Sequence, residues 1–586
     1  MGSPSVDLLH FRGRSERSAG GAGLYTALAA RRAGADVTMV APRPDPMPPE
    51  LVAPAALLRW RGPTVAADAL PHFEIAHEPG GRTTYIRGVW GSEGHLSADD
   101  VPRDLQPGLA YVVPMMDSTR QVEIALRLKE EGWSVGCGTY GGATRKHRDV
   151  VLRSIELADV FFCNENEAHA LFGDVESAST EPGKLLFITR GERGARVVQG
   201  AHATDVQGVA VEELDPTGAG DTFCGTTLAF LSRGAHPVIA ARHAVAAAAE
   251  MVTGVGPETL LREGTSPTPT ADPRLRVDPE RCEAVARVIA TAPEATAFDF
   301  TGPDYPEPGH PVALDFFFAA TLQQFGFWTE EGGAYRRPMI AALDGRELKG
   351  SDFLWAAYRR WLDDAPLELS PGGQAEIAAT FDARLRADDG VNPLPAGPLH
   401  PAAAVAYGRD MTALGWTPTS VVDSAAAADR PVEALLRMLD HVGGYKEDPL
   451  RKKSALLAAI LSQRPEGWIE PGSGEDVPPI VDYHCLRSCL RLGLVTVEEP
   501  ELAERLETRR VVDGLDEDAI RGACSEAVAL VHRMSGRTMG AVDWFFFQNR
   551  HRCPEMSAPD CPGCPADGVC AHLTELFQPV FRTTAY

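Results

Sequence analysis

The stretch DPTGAGDTFCG at positions 215–225 places two glycines and an acidic residue directly before an apolar, helix-like pattern. Gly218, Ala219 and Gly220 can bring backbone amides together at a helix N-terminus, where they stabilise the negative charge on a transferred phosphoryl group. Asp221 follows at the mouth of this anion hole, where its carboxylate can accept a proton from an attacking hydroxyl. The pattern therefore indicates phosphoryl transfer, and a glycine-rich turn with a capping aspartate is the alternative.

Three further glycine-rich or polar motifs precede this stretch in the chain. They are AGGAG with Gly20 and Gly21, NENE with Asn164 and Glu167, and TRGERG with Thr189, Gly191 and Gly194. Together with DPTGAGD, these motifs resemble those of the ribokinase-like (PfkB) sugar and nucleoside kinases, over about residues 1–260. The resemblance implies an α/β ribokinase-like domain in this part of the chain.

The same resemblance implies a role for each motif. Asp221 would be the catalytic base beside the anion hole of residues 218–220. Asn164 and Glu167 would organise Mg²⁺ and phosphate, usually through water. The TRGERG turn would bind the nucleotide. ATP and Mg²⁺ are therefore the expected cosubstrate and metal, and a kinase domain that has lost catalysis is the alternative.

The substrate side of such a site would come from the first residues of the chain. The AGGAG glycines would let the backbone approach a sugar, and Asp7 is implied as the residue that binds sugar hydroxyls. The sequence MGSPSVD begins close to that aspartate, whereas the family opens with a full strand. We therefore expect either an upstream start or an altered sheet edge.

Four cysteines crowd into the segment CPEMSAPDCPGCPADGVC near the C-terminus. Cys553, Cys561, Cys564 and Cys570 have the spacing C-x7-C-x2-C-x5-C, on a loop rich in proline and glycine. Such a loop can turn four thiolates inward around a tetrahedral metal or an iron-sulfur cube. The spacing predicts a metal loop at 553–570, with a 4Fe-4S cluster or Zn²⁺ as the occupant and four unpaired thiols as the alternative.

Asp482 opens a helical pattern in the segment VDYHCLRSCLRLGLV. An aspartate at this position most often caps the helix. With the cysteine loop, however, the segment resembles the helix-hairpin-helix base-excision glycosylases of the endonuclease III type. In that family the equivalent Asp is catalytic and a C-x6-C-x2-C-x5-C loop binds a 4Fe-4S cluster. The glycine-rich hairpin by which that family grips DNA has only a weak counterpart here, HVGGYKED.

Residues from about 285 to 586 are more similar to the queuosine 5'-phosphate N-glycosylase (queuosine salvage) family. The segments that carry this resemblance are ALDFFFAATLQQFGFW, DPLRKKSALL, VDYHCLRSCL, AIRG, WFFFQNRH and QPVFRTTAY. The resemblance implies an all-α helix-hairpin-helix glycosylase-like domain with Asp482 as the catalytic carboxylate. A fixed carboxylate beside C1' would stabilise positive charge on the ribose and orient water.

Basic and aromatic residues near Asp482 could bind the rest of such a substrate. Arg451, Lys452, Lys453 and Arg521 are candidates for a 5'-phosphate, and a solvated helix face is the alternative. Phe325, Phe327 and Trp328 could stack on a base or could simply pack in the core.

The length of 586 residues exceeds what one hydrophobic core usually serves, so several domains are expected. Alternating helix and strand patterns favour a kinase domain at 1–262, with a linker at 263–280 that is rich in Pro, Thr and charged residues. Apolar residues at helical spacing favour an all-α domain at 281–586.

The net charge of the chain indicates which kinds of binding partner to expect. With 81 acidic and 56 basic residues, the formal net charge of -25 disfavours a nucleic-acid partner. No apolar run is long enough to span a bilayer and no signal peptide is visible, so we expect a cytoplasmic enzyme with small-molecule substrates.

The two halves together predict a bifunctional salvage enzyme. The first half would phosphorylate a modified nucleoside or a sugar, and the second would hydrolyse the N-glycosidic bond of the 5'-phosphate, plausibly converting queuosine to queuine. Two alternatives stay open: a sugar kinase fused to a DNA repair or modification glycosylase, and a kinase with a non-catalytic, regulatory iron-sulfur domain.

Overall fold

The structure is a computed structural model that describes residues 1–586 except 12, 79–81, 263, 266–271 and 578–582. The chain divides into two compact units, Met1–Pro269 and Thr270–Tyr586. Among the described residues, none of the helices combines the length and apolar character needed to cross a lipid bilayer.

Two sheets dominate the N-terminal unit. Its strands are β1 (Ser5–Phe11), β2 (Arg14–Gly20), β3 (Thr38–Val40), β4 (Arg43–Pro44), β5 (Arg59–Arg61), β6 (Thr64–Val65), β7 (His72–Glu78), β8 (Arg82–Val89), β9 (Leu109–Val112), β10 (Ser134–Gly138), β11 (Val160–Asn164), β12 (Leu185–Thr189), β13 (Ala195–Gln199) and β14 (His202–Val206). One sheet has six strands in the order β14-β13-β12-β11-β10-β9, and the other has four in the order β2-β1-β7-β8.

The six-stranded sheet is parallel from β9 to β12 and antiparallel at β13 and β14. The central strand β11 reads Val-Phe-Phe-Cys before it ends at Asn164, and those four residues are buried. A strand buried on both faces requires such a continuous apolar run. The predicted, mostly parallel sheet is therefore present, and its strands place polar residues at their carboxyl ends.

Helices cover this sheet and link its strands. They are α1 (Ala22–Arg32), α2 (Pro49–Leu57), α3 (Ser118–Glu130), α4 (Gly141–Lys146), α5 (Arg148–Leu157), α6 (Glu165–Phe172), α7 (Ala219–Ser232), α8 (Pro237–Met251) and α9 (Glu258–Leu261). Short 3-10 helices lie at Ala67–Ala69, Gly91–His95, Ala98–Asp100 and Gly191–Arg193. Helix α7 buries most of its first ten residues, among them Phe223 and Leu228, against the sheet.

The C-terminal unit is mainly helical. Its helices are α10 (Pro279–Thr291), α11 (Ala313–Thr321), α12 (Ser351–Asp364), α13 (Pro371–Ala375), α14 (Phe381–Arg384), α15 (Leu399–Ala413), α16 (Pro418–Ala426), α17 (Pro431–Leu439), α18 (Lys452–Gln463), α19 (Tyr483–Leu492), α20 (Pro500–Glu507), α21 (Gly514–Ser535) and α22 (Met539–Gln548). Short 3-10 helices lie at Pro366–Leu369, Ile377–Ala379 and Asp567–Val569.

The expectation of an all-α second half missed three two-stranded sheets. Their strands are β15 (Leu275–Val277), β16 (Trp328–Glu331), β17 (Ala334–Pro338), β18 (Ile340–Leu343), β19 (Arg346–Lys349) and β20 (Val495–Val497), paired β15-β20, β16-β17 and β18-β19. Two of the pairs are hairpins whose turns hold Gly332–Gly333 and Asp344–Gly345, dipeptides that favour tight hairpin turns. The sequence thus carried a hairpin signal that the helical periodicity around it obscured.

The stretch 263–280, which the sequence marks as a linker, has structure at its end. Residues 263 and 266–271 lie outside the described part, but strand β15 and the start of α10 fall within the range. Strand β15 pairs with β20, more than 200 residues later in the chain. Because its partner is so distant, the local composition did not indicate this strand.

Candidate functional site

A cavity of about 1130 Å³ in the N-terminal unit lies at the carboxyl ends of the parallel strands. Polar residues from several elements line it, as expected for ligand sites of open α/β sheets. It brings together seven of the residues that the sequence singled out: Asp7, Gly21, Asn164, Glu167, Gly218, Gly220 and Asp221.

Asp221 lies in the first turn of α7 and faces this cavity. Burial raises the pKa of its carboxyl group to about 6. Gly218 is the N-cap residue with φ 84°, and a Cβ on it would lie 2.4 Å from the ring of Tyr25. Only glycine adopts this conformation at so close an approach without strain. The loop is thereby held so that the helix N-terminus points at the cavity.

Asp215 fixes the loop before α7, a role that the sequence had not suggested. Its side chain is buried, and it accepts hydrogen bonds from the backbone N–H groups of Thr217 (2.9 Å) and Gly256 (2.8 Å). The N–H of Ala219 donates to the carbonyl of Pro216 at 3.1 Å, so this amide is already engaged within the turn. Gly218 and Gly220 are the members of the predicted anion hole that line the cavity.

Asp7 on β1 is buried beside the cavity. Its carboxylate accepts hydrogen bonds from the Ser5 hydroxyl (2.8 Å) and from the N–H of Phe73 (3.1 Å). Burial nevertheless raises its pKa to about 6. The two predicted glycines differ in position: Gly21 lines the cavity, whereas a Cβ on Gly20 would lie 1.9 Å from Asp7 Oδ2. Gly20 therefore makes room for the carboxylate of Asp7.

Asn164 and Glu167 form a capping box at the start of α6. The Glu167 N–H donates to Asn164 Oδ1 (2.9 Å), and the Asn164 N–H donates to Glu167 Oε2 (2.8 Å). Burial raises the pKa of Glu167 to about 7, and the charge of Asp221 contributes in the same direction. Two carboxyl groups that line one cavity fit a site for a cation such as Mg²⁺.

The TRGERG turn lies at the same edge of the sheet. Thr189 ends β12 directly opposite Asn164, and Gly191 and Gly194 have φ 59° and 87° in the turn that follows. Gly194 packs tightly, since a Cβ there would lie 2.1 Å from the carbonyl oxygen of Val206. None of these three predicted residues lines the cavity, so the structure places them beside it rather than in it.

The cavity is also lined by aromatic and acidic residues that belong to none of the sequence motifs and were therefore not predicted. The rings of Phe73 and Trp90 are 5.2 Å apart, and those of Trp90 and Tyr140 are 5.7 Å apart. Glu93 joins them in lining the cavity. Three separate segments supply these residues, namely β7, the 3-10 helix with its N-cap Trp90, and the loop before α4, so no local spacing could have connected all four.

In the C-terminal unit, Asp482 is the N-cap residue of α19, and its Oδ1 accepts a hydrogen bond from the N–H of Cys485 at 2.8 Å. Burial raises its pKa, while the nearby charge of Lys452 acts in the opposite direction. Asp543 on α22 has its pKa raised well above the usual range by burial and then by the charge of Asp482. Capping is thus part of the role of Asp482, and it also belongs to a group of two half-buried carboxyls and one buried ammonium.

The four basic residues proposed for a phosphate already interact with protein groups. Arg451 pairs with Asp440 (2.5 Å) and Arg521 with Asp448 (2.9 Å). The other two are α18 residues whose ammonium groups donate to backbone carbonyls, Lys452 to Gln324 (2.8 Å) and Lys453 to Leu322 (3.1 Å).

Burial of these cations contradicts the alternative of a solvated helix face for Lys452, Lys453 and Arg521, which are at most 5% exposed. The candidate stacking residues Phe325, Phe327 and Trp328 are also buried in the hydrophobic core. Of the closing QPVFRTTAY segment, residues 578–582 lie outside the described part. Tyr586 lies under the guanidinium of Arg521 at 4.8 Å.

The four cysteines of the C-terminal loop line one small cavity together with Arg491. Arg491 Nη1 donates to Cys553 Sγ at 3.2 Å, and the His572 N–H donates to Cys570 Sγ at 3.3 Å. Such N–H donors stabilise sulfur that carries negative charge. All four cysteines line this cavity, and the metal-binding atoms of Cys561, Asp567 and His572 lie within 4.8 Å of one another.

The same loop inserts Glu555 into the core of the unit. Glu555 is 2% exposed, and its carboxylate contacts Arg487 Nη1 (2.6 Å) and Lys349 Nζ (2.8 Å). Although burial acts in the opposite direction, these two cations lower the pKa of Glu555. Since Arg487 belongs to α19, the cysteine loop is tied to the helix that begins after Asp482.

Comparison with known proteins gives matches to kinases. Residues 142–263 match the pfkB family of carbohydrate kinases. The cytidine kinase of Thermococcus kodakarensis is 31% identical over 247 residues, which cover 40% of this chain and 88% of that protein. The ribokinase of Bacillus subtilis is 28% identical over 250 residues, which cover 40% of this chain and 82% of that protein.

A solved structure gives a further match. The nucleoside kinase of Burkholderia thailandensis in complex with inosine is 24% identical, with a TM-score of 0.39, over 46% of this chain and 92% of that chain.

Proposed function

The chain belongs to the pfkB family of carbohydrate kinases, and we propose that its N-terminal unit phosphorylates a hydroxyl group of a nucleoside. The unit is a kinase of the sugar or nucleoside type with a ribokinase-like α/β fold. The observation that supports the finer proposal is the cavity that joins Asp7, Glu167 and Asp221 with an aromatic wall large enough for a base.

The residues suggest how the transfer would proceed. Asp221 takes the proton of the attacking hydroxyl as its oxygen bonds to the γ-phosphorus of ATP, whose bond to the bridging oxygen of ADP breaks. The N-terminus of α7 stabilises the charge on the transferred group. Asp7 orients the sugar by accepting hydrogen bonds from its other hydroxyls. Glu167 and Asn164 would hold Mg²⁺, directly or through water, and this ion neutralises phosphate charge when bound.

The test is a transfer assay with ATP and Mg²⁺ against a panel of adenosine, cytidine, inosine, queuosine, ribose and fructose. Nucleoside monophosphate formed with a higher kcat/KM than either sugar phosphate supports the proposal. Preference for ribose or fructose would replace it with a sugar kinase. Asp221→Asn should remove product, whereas the exposed Asp149→Asn in α5 should leave the rate unchanged.

A second candidate activity rests on the group formed by the half-buried Asp482 and Asp543 and the buried Lys452. We propose that the C-terminal unit hydrolyses the N-glycosidic bond of a nucleoside 5'-phosphate, with queuosine 5'-phosphate as the candidate substrate. Asp482 would stabilise the developing positive charge on the ribose and orient the attacking water. Burial raises the pKa of Asp482, while the charge of Lys452 favours its ionised form.

A pair of substitutions separates capping from catalysis at Asp482. Asparagine caps helices about as well as aspartate, whereas alanine loses about 1 kcal/mol at such a position. Asp482→Asn should therefore retain the thermal stability of the unit but release no base from synthetic nucleoside 5'-phosphates, queuosine 5'-phosphate included. Base release by this variant at the wild-type rate would contradict a catalytic role and leave the kinase with a regulatory domain. Release of base from DNA duplexes that carry a damaged or modified base, instead of from nucleotides, would favour the repair glycosylase.

Because the four cysteines of the C-terminal loop line one cavity, we propose a 4Fe-4S cluster held by Cys553, Cys561, Cys564 and Cys570, with Zn²⁺ as the alternative. The cluster would hold the loop that carries Glu555. With both activities, the chain would convert a nucleoside first to its 5'-phosphate and then to free base and ribose 5-phosphate.

A further inference from the structure

Glu93 stands out among the residues that line the kinase cavity. Its side chain is only 6% exposed, yet it lines the substrate side near Trp90 and Tyr140. The catalytic steps described above make no use of it. A carboxyl group in so enclosed a place requires partners, because an ionised carboxylate is costly to bury.

The partners of Glu93 within the protein use only part of the hydrogen-bond acceptor capacity of its carboxylate. Oε2 accepts a hydrogen bond from the N–H of Met116 at 2.9 Å. A carboxylate offers about four acceptor positions in all. Among the described side chains, no lysine or arginine nitrogen lies within ion-pair distance of this carboxylate. Arg120 acts on it only at longer range, and its guanidinium donates to the carbonyl of Leu96 (3.1 Å).

The position of Glu93 is fixed by the backbone around it. It belongs to the 3-10 helix Gly91–His95, whose first residue has φ 48°. A Cβ on Gly91 would lie 2.3 Å from the carbonyl oxygen of Ala69, so this turn is packed closely against its neighbour. The Met116 contact holds the side chain as well. The carboxyl group is thus preorganised rather than mobile.

The surroundings of Glu93 suit a cation. Trp90 lies 5.7 Å from Tyr140, and the charge of Glu93 contributes to the raised pKa of Tyr140 after burial. Aromatic faces attract cations, and a carboxylate beside them adds a charge-assisted hydrogen bond. Asp7, the proposed sugar ligand, accepts a hydrogen bond from the backbone N–H of Phe73, whose ring contacts that of Trp90. Asp7, Phe73, Trp90 and Glu93 all line this one cavity, so a ribose and its base could be bound there together.

We propose that Glu93 selects nucleosides whose base carries a cationic amino group, which it pairs with directly beside Trp90 and Tyr140. This inference rests on the proposed nucleoside kinase function and narrows its substrate class. Neutral nucleosides would enter the cavity but would leave a buried carboxyl without its partner. The protein would bind them more weakly for that reason.

The experiment compares two ligands that differ in one charge, 7-aminomethyl-7-deazaguanosine and 7-methyl-7-deazaguanosine, by calorimetric binding and by kinase kcat/KM on the full chain. Glu93→Gln keeps an acceptor for the Met116 N–H and removes the charge. It should weaken binding of the amine about 10- to 100-fold and change binding of the methyl analogue less than about twofold. The exposed Glu130→Gln in α3 is the matched control.

Equal losses for both ligands, or no loss for the amine, would overturn the role of Glu93. If Glu93→Gln does not fold, wild-type binding decides: the aminomethyl ligand must bind at least about tenfold more tightly than the methyl analogue, and equal affinities overturn the proposal. If the protein binds the amine selectively but phosphorylates neither ligand, the proposed kinase function is refuted and the role of Glu93 in binding is retained.

Discussion

Oε1 of Glu555, in the cysteine loop, lies 2.6 Å from Nη1 of Arg487 on α19. Arg487 is completely buried, and its Nη1 also lies 3.1 Å from His484 Nδ1. The loop therefore supplies the negative charge that allows a guanidinium to remain inside the unit one turn from Asp482. If the four cysteines hold a metal group, that group would also help to keep the Glu555 carboxylate beside Arg487.

Removal of the Glu555 carboxylate should destabilise the C-terminal unit. Breaking one side of a buried ion pair costs about 3–5 kcal/mol, because the remaining charge has no partner. Glu555→Ala should lower the melting temperature of the C-terminal transition by several degrees in differential scanning calorimetry. The exposed Asp423→Ala in α16 should leave it unchanged. An unchanged transition in Glu555→Ala would mean that Arg487 finds another partner.

Glycines 218 and 220 should differ in their tolerance of alanine. Gly218 has a positive φ and the Tyr25 ring against it, whereas nothing lies within 4 Å of a Cβ on Gly220, which is helical. Gly218→Ala should therefore lower both stability and kinase activity. Gly220→Ala should retain the wild-type melting temperature, so that any loss of kcat in it reports on the cavity alone. Equal stability of the two variants would argue against the close contact with Tyr25.

Kinase activity should fall as the solution becomes acidic. Burial raises the pKa of Asp221 to about 6, and a catalytic base works only when deprotonated. The kcat/KM for a neutral nucleoside should thus be full near pH 8 and decline through about pH 6, as the protonated fraction of Asp221 grows. The pKa of Glu167 is raised to about 7, so protonation of this residue would begin the decline at a higher pH than protonation of Asp221. Activity that stays constant from pH 8 to pH 5 would contradict Asp221 as the base.

Metal content should depend on the cysteine loop. Protein purified without oxygen is expected to contain about four iron and four sulfide per chain if a 4Fe-4S cluster is bound, or one zinc ion in the alternative. Cys564→Ser should reduce that content strongly. The buried thiol Cys282 in α10 offers a matched control, since Cys282→Ala removes a cysteine outside the loop. Loss of metal in both variants would point to general unfolding, and no metal in wild-type protein would contradict the site.

The sequence by itself determined the elements whose chemistry is local. DPTGAGD placed Asp221 in the first turn of a helix, and NENE placed a capping box after a buried strand, because both depend on residues a few positions apart. The cysteine spacing likewise indicated a loop able to turn four thiols inward, and the structure brings them to one small cavity. The match to the pfkB family confirms the predicted kinase domain in the N-terminal part of the chain.

Only the tertiary structure decided which distant residues meet. Glu93, Phe73, Trp90 and Tyr140 share a cavity because separate strands and loops end at one edge of the sheet. Glu555 meets Arg487 across 68 positions of sequence, and β15 pairs with β20. The sequence also did not show that Lys452, Lys453 and Arg521 are buried. Basic residues on a helix have the same sequence pattern whether their charges face water or buried partners. Such contacts arise from packing over long separations, which no local pattern encodes.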